Sequence, residues 1–402
     1  MFDLNFKPIA LNDIDIWTLF EKTDGNLYCI GSKTKDRFIM AQEYNKDLIY
    51  QFAKELDGSH SVEELINNSE KKYESKFDVK QLLEILGKAG LIQNANVDVI
   101  EKQELDKYSF KIYSADLSNH YNFYDKAEKV IFPYGMIFFN MLILLGIILA
   151  ILNLNIFYDN STYHVFNSYE IGLLVIMINS TVSLIFHEFG HIITGYHKGL
   201  KPKSIIISLY MWITPIVYVK TPGIYTLKPR DRIEIFSAGI FANLVLFSLF
   251  MAIFTFTKNS IFVLFALPNL YRIVTNLSPF MPLDGYLILS TIFKMPNLRK
   301  NSFKKFKKVI KEPKLLKDNK NIFILIYFIL SLALILFIIT SQLNWIVREI
   351  VDSIDNSVSI LDFLWKMKLF VLFIGVIIIK SIYNVYIKIQ DHNSNKKELQ
   401  SN

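Results

Sequence analysis

Two imidazoles and a carboxylate stand where an apolar helix should be greasy. The run Ile171-Gly-Leu-Leu-Val-Ile-Met-Ile-Asn-Ser-Thr-Val-Ser-Leu-Ile-Phe186 ends in His187-Glu188-Phe189-Gly190-His191. Such groups cost several kcal/mol in hydrocarbon and are functional suspects by default. Histidines at i and i+4 share one helical face, so both rings can reach one metal ion. Glu188 lies about 100° round the helix from His187, near enough to work on an activated water without being a ligand.

Catalytic zinc takes three protein ligands and leaves a fourth position to water. Asp284 is the best third ligand. It follows Asn276-Leu-Ser-Pro279-Phe-Met-Pro282-Leu in a segment where Pro268, Pro279, Pro282 and Gly285 break any continuous helix. Broken backbone at membrane depth is tolerated where it lines a cavity or is buried in protein. The other histidines fit worse. His60, His120 and His392 lie in soluble segments, His164 in an outer loop, and His197 on another face. Glu188 is then the general base, taking a proton from water and handing it to a leaving amine. Its bland alternative is an ion pair with Lys198, Lys201 or Lys203. Two histidines and an aspartate also suit other divalent metals, so Zn2+ is inferred from ligand type.

The elements that must position these groups are membrane spans. Of 402 residues, 52% are apolar. The first 125 or so are mixed and charged, and long apolar runs follow, so this is a membrane protein with a soluble N-terminal part. No apolar signal core opens the chain. The single cysteine, Cys29, excludes an intrachain disulfide and a cysteine-based metal site. The net charge of +7 is concentrated at 294–320, where eleven Lys or Arg face only Glu312 and Asp318. That reads as a basic loop at a cytoplasmic membrane face, with no nucleic acid as partner.

Six spans are expected, near 130–152, 169–195, 235–257, 260–290, 321–341 and 366–387. Residues 153–168 hold no Lys or Arg, whereas 196–234 hold seven. Residues 294–320 and the tail are basic, and 342–365 set Arg348 against Glu349, Asp352, Asp355 and Asp362. This alternation places both termini in the cytoplasm of a multi-pass cell-membrane protein. The histidine pair then sits at the cytoplasmic end of the second span. Residues 204–222 are β-branched and aromatic, interrupted by Pro215, and read as a hairpin or re-entrant element. A strand edge there could hold unwound substrate by strand addition, and the alternative is a surface-anchoring hairpin.

HEFGH in one span, followed by Asn276-x-x-Pro279-x-x-x-Leu283-Asp284-Gly285, resembles the site-2 protease family of intramembrane zinc metalloproteases. The resemblance covers roughly 165–295. It implies a three-helix catalytic core with His187, His191 and Asp284 as zinc ligands and Glu188 as acid/base. It also implies that Asn276 lies by the site, where it binds substrate backbone. Ser237-Ala-Gly-Ile-Phe-Ala-Asn243 is similar to that family's Gly-Pro-x-x-Asn segment, with Ile240 in place of proline. Small residues here let helices approach closely. Asn243 is either an oxyanion stabiliser or a packing-interface polar residue.

The N-terminal part reads as a small α+β domain. Asn26–Ile30 and Arg37–Ala41 form a hairpin, and a helix runs from Asn45 to Leu56. Ser61-Val-Glu-Glu64 and Asp78-Val-Lys-Gln81 open two further helices in the manner of capping boxes. Gly90 ends the third, and Leu91-Ile92 begins a strand. Strand pair, three helices and strand describe a winged helix. The run from Asp57 to Ile92 resembles the leader-peptide-recognition domains of ribosomal-peptide modification clusters. Its lysines are offset by glutamates, so no nucleic-acid footprint stands out. A merely structural domain is the alternative.

The chain is thus expected to be mainly α: a domain at 1–100, a linker at 101–129, a membrane metalloprotease core at 130–295, a basic loop at 296–320, and two further spans with a tail at 321–402. The expected activity is a membrane zinc endopeptidase near the cytoplasmic face. It would mature a secreted ribosomal peptide, a bacteriocin or signalling peptide, whose leader residues 1–100 capture. A peptide exporter is an implied partner, and the lipid bilayer is the surrounding medium. The rivals are regulated proteolysis of a membrane signalling protein and a non-proteolytic metal-binding export or immunity protein.

Overall fold

The computed structural model describes residues 2–22, 25–73, 78–95, 109–165, 169–210, 214–281, 283–317, 321–334, 336, 337 and 340. The chain is mostly helical, with a small sheet region at the N-terminus.

Three antiparallel strands come first: β1 (Ile14–Phe20), β2 (Leu27–Ser32) and β3 (Arg37–Gln42), in that order across the sheet. The expected hairpin is β2–β3, with Ile30 opposite Ile39. β1 falls outside the expected elements. The wing strand expected at Leu91-Ile92 is one bridge, Ala10 with Ile92. Helices α1 (Lys46–Glu55), α2 (Val62–Tyr73) and α3 (Val79–Lys88) follow. At α2 the box closes both ways: Ser61 N donates to Glu64 Oε2 at 2.8 Å and Glu64 N to Ser61 Oγ at 3.2 Å. At α3 the Asp78 carboxylate accepts from Gln81 N. One core holds the sheet and helices together, with Ile30, Phe52, Leu83, Leu86 and Leu91 buried in it.

Within the expected linker the structure has regular elements: β4 (Ser109–Asp116) and α4 (Tyr121–Val130). Pro133 lies in a π-helical turn, Ile131–Gly135, that joins α4 to α5 (Met136–Leu152). Then come α6 (Tyr169–His197), β5 (Ser204–Tyr210), β6 (Thr214–Lys220), α7 (Pro229–Thr257), α8 (Ile261–Leu277) and α9 (Asp284–Ile292). β4, β5 and β6 form a second sheet in that order. The expected hairpin is there, but β5 has a neighbour on each side. Any edge open to strand addition belongs to β4 or β6, not to residues 205–209.

Among the described residues, three helices are long and apolar enough to cross a membrane: Ser118–Leu152, Leu174–His197 and Pro229–Thr257. Two shorter apolar helices, α8 and Asn321–Leu334, lie where two further spans were expected. The span expected at 366–387 falls outside the described residues. Of the residues expected to break the fourth segment, Pro268 instead sits inside α8, which runs on to Leu277, just before Pro279. Proline removes a backbone donor there. Beside the gap, Phe265 O accepts Nδ2 of Asn179 at 2.6 Å and Nδ2 of Asn269 at 2.9 Å. Side-chain amides thus help satisfy the local backbone. α8 ends at Leu277, and α9 opens on Asp284.

α7 is the central helix, packed by α5, α6, α8 and α9. Its Asn243, Ser248 and Met251 are fully buried. Residues 1–104, 113–207 and 217–301 form one compact unit. The other contains residues 302 onward, where Phe303 and Phe306 of the basic helix α10 (Leu298–Lys311) pack on Phe328 of α11 (Asn321–Leu334).

Candidate metal centre

α6 presents His187, Glu188 and His191, and the first residue of α9 presents Asp284. A carboxylate in a helix's first turn suits the positive end of its dipole. His187 Nε2 lies 3.0 Å from Asp284 Oδ2, His191 Nε2 lies 3.4 Å from the same oxygen, and the two Nε2 atoms are 3.2 Å apart. One ligand atom from each of His187, Glu188 and His191 also lies within 4.8 Å of the others. His187 and Glu188 are buried.

The outer nitrogens fix what the inner ones can do. His187 Nδ1 is 2.7 Å from Asn243 Oδ1, and His191 Nδ1 is 2.7 Å from Ile235 O. Ile235 O can only accept, so His191 Nδ1 donates. Asn243 Nδ2 points at Ser183 O, Ser183 Oγ and Asn269 Oδ1, at 3.2, 3.0 and 2.9 Å. Its Oδ1 must therefore face His187 and accept as well. Both neutral rings then hold their proton on Nδ1 and turn a bare Nε2 lone pair inward. Asp284 Oδ2 is buried, and despite its short distances it has no hydrogen-bond partner. Three lone pairs facing one point repel unless a cation lies among them. A tetrahedral zinc with bonds of about 2.0–2.1 Å sets its ligands about 3.3–3.4 Å apart, close to these separations. The residues present fit zinc.

Close packing makes the geometry. A Cβ on Gly239 would come within 2.5 Å of His187 Cε1 and His191 Nε2, and one on Gly190 within 2.5 Å of Ala238 O. Only glycine lets α6 and α7 approach this closely. The small-residue segment 237–243 faces the HEFGH turn.

Asn243 is 0% exposed, and the protein takes both ends of its amide. It holds His187 and faces no open space for substrate. Asn276 donates through Nδ2 to Arg272 O, and its carbonyl packs by Gly285 next to Asp284. Glu188 is in no ion pair among the described residues. Lys198, one partner weighed for it, pairs instead with Asp231 and Glu234 at 3.2 and 2.5 Å. His197 is held by Glu128 and stacked on Phe132, away from the centre.

Sequence reasoning missed Ser183, Asn269, Ile235 and Arg272, and it read Gly239 only as one of the small residues of 237–243. Arg272 donates to Ser180 O at 2.9 Å. An arginine inside an apolar helix was the one signal available for it. Ile235 acts through its backbone carbonyl, which no residue type announces.

Over 201 residues, 50% of its length, the chain is 25% identical to a Bacillus subtilis (strain 168) protein named "Putative peptide zinc metalloprotease protein YydH", 78% of which is covered. No protein-family profile matches the chain, and no solved structure matches it.

Proposed function

We propose that this chain is a membrane-embedded zinc endopeptidase, with His187, His191 and Asp284 holding the metal and Glu188 as acid and base. The observation that carries the reading is the convergence of three bare donor atoms on one point, with a second carboxylate, that of Glu188, beside them. The likeness to a protein named as a peptide zinc metalloprotease supports it.

Zinc held there would supply Lewis acidity, polarising a scissile carbonyl and lowering the pKa of water. Glu188 accepts the proton that water loses on attack and delivers it to the leaving amine nitrogen. Asn243 and Ile235 keep both imidazoles in the tautomer that leaves Nε2 free. Asn276 orients the substrate backbone beside Asp284. Low surrounding dielectric strengthens each of these interactions.

The family reading extends to an intramembrane protease of the site-2 type with six spans and cytoplasmic termini. Residues 1–100 capture the leader of a peptide precursor, which is cleaved near the cytoplasmic face during maturation of a secreted peptide. The edge of β6 offers main-chain groups to unwound substrate.

The test is to purify the full chain in detergent with zinc, add candidate peptides, and follow the products by mass spectrometry. Glu188→Gln should retain zinc and lose cleavage by at least a hundredfold, the lower bound for general acid–base help. Equal processing by both proteins would sink the reading.

A further inference from the structure

Arg232, in the first turn of α7, is 1% exposed. Its Nη2 donates to Leu19 O at 2.5 Å, and its guanidinium carbon lies 4.6 Å over the Phe20 ring. Its Nε has no hydrogen bond. Among the described residues no carboxylate pairs with it, because its neighbours Asp231 and Glu234 both turn to Lys198. A buried cation without a counter-ion is costly. Nothing in the proposed chemistry uses this one.

Its surroundings give it a task. Leu19 and Phe20 close β1, and Glu21 follows. Glu21 O accepts Lys294 Nζ at 2.5 Å, just beyond the end of α9. The end of β1 therefore grips the helix that opens on Asp284 and the helix that backs both histidines. Two bonds from the same sheet brace the segment leading into α7: Cys29 Sγ donates to Tyr225 O at 3.4 Å, and Gly223 N donates to Asp36 Oδ1 at 3.1 Å.

Arg232, Ile235, Gly239 and Asn243 are spaced by three, four and four residues, so they form one stripe along α7. The last three meet the metal centre. Ile235 O takes His191 Nδ1, Gly239 lies against both rings, and Asn243 Oδ1 takes His187 Nδ1. A small rotation of α7 would move all three together.

We propose that the N-terminal body is a structural part of the metal centre and that Arg232 is the positioning residue through which it acts. Seated on Leu19 and Phe20, Arg232 sets the rotation of α7 and hence the orientation of both imidazoles. The proposal rests on the reading that His187, His191 and Asp284 hold zinc.

The experiment is competition for zinc between a chromophoric chelator and the purified full-length protein. Arg232→Met keeps the aliphatic stem and removes the donors. Phe20→Leu removes the ring and keeps an apolar side chain. Each should weaken zinc about tenfold, the lower end of what support groups behind metal ligands are worth. Arg232→Lys restores a donor to Leu19 O and should recover part of that loss. His60→Ala, exposed on the same body, should leave it unchanged. If Arg232→Met does not fold, Phe20→Leu decides. Wild-type zinc affinity in a folded Phe20→Leu or Arg232→Met protein overturns the clamp and leaves the proposed function standing. Absence of zinc binding by the wild type overturns both.

Discussion

At the scale of single residues, the candidate metal centre is a set of tautomers before it is a set of proposed ligands. Asn243 is the pivot, since its amide nitrogen is bound by Ser183 and Asn269 and its oxygen is left for His187. Asn243→Ala removes the acceptor of the His187 Nδ1 proton, whereas Ser183 Oγ still donates to Asn269 Oδ1. Zinc affinity should fall by about 10–100-fold, as read by chelator competition. Gly239→Ala should do at least as much, because its methyl meets both imidazoles. Gly195→Ala is the fair comparison: it also lies on a helix of the core, but its added carbon meets Thr221 Cγ2 at an ordinary 3.6 Å. Equal zinc affinity in Gly239→Ala and Gly195→Ala would refute the steric argument. The residues proposed as ligands were legible because their side chains are chemically unusual in an apolar helix. Ile235 was not, because it acts through its main chain, and Gly239 was legible only as part of the small-residue segment 237–243.

At the scale of elements, legibility followed the locality of the signal. The capping patterns at Ser61 and Asp78 are four residues long; the first closes both ways, and at the second the Asp78 carboxylate caps Gln81 N. Ser61→Ala should cost about 1 kcal/mol of N-terminal stability, checked by denaturant melting followed through tryptophan fluorescence. A second check uses acid. Burial works to raise the Asp13 carboxyl, but hydroxyls of Thr34 and Ser32 outweigh it and hold the group below its ordinary value. A depressed carboxyl stabilises the fold above its unfolded pKa, and that contribution is lost as pH falls through the folded one. Asp13→Asn should therefore flatten the acid limb of a stability profile. A profile parallel to that of the wild type would show that the hydroxyls contribute nothing. Signals depending on distant chain were harder to read. Pro268 looks like a helix breaker in isolation, yet Asn179 lies far away in sequence and supports the backbone beside it. β1 escaped notice because its end buries Leu19 and Phe20 together against other parts of the chain, which blurs the alternation that marks a strand.

At the scale of the whole molecule, charge placement and helix length bear on different questions. Among the described residues, length and apolarity select three helices that can cross a bilayer. α8, with 17 residues, reaches about 25 Å at 1.5 Å per residue and falls short of a full ~30 Å core by itself. The polypeptide continues through the break into α9, so one segment can reach depth without one continuous helix. Orientation rests on the loops. The stretch at 153–168 lacks Lys and Arg, whereas 294–320 carries eleven. Excess positive charge stays on the cytoplasmic side, so the two stretches should lie on opposite faces. The single native cysteine makes this directly measurable. Cys29 is buried, and Cys29→Ser gives a thiol-free chain. Single cysteines introduced at Ser161 and at Lys304 should then differ. In intact cells a membrane-impermeant maleimide should label position 161 and spare position 304, and both should react once the membrane is opened. Labelling of position 304 alone in intact cells would invert the topology. It would place the chain between α6 and α7, with its cluster of lysines, outside the cell, and move the proposed cleavage away from the cytoplasmic face.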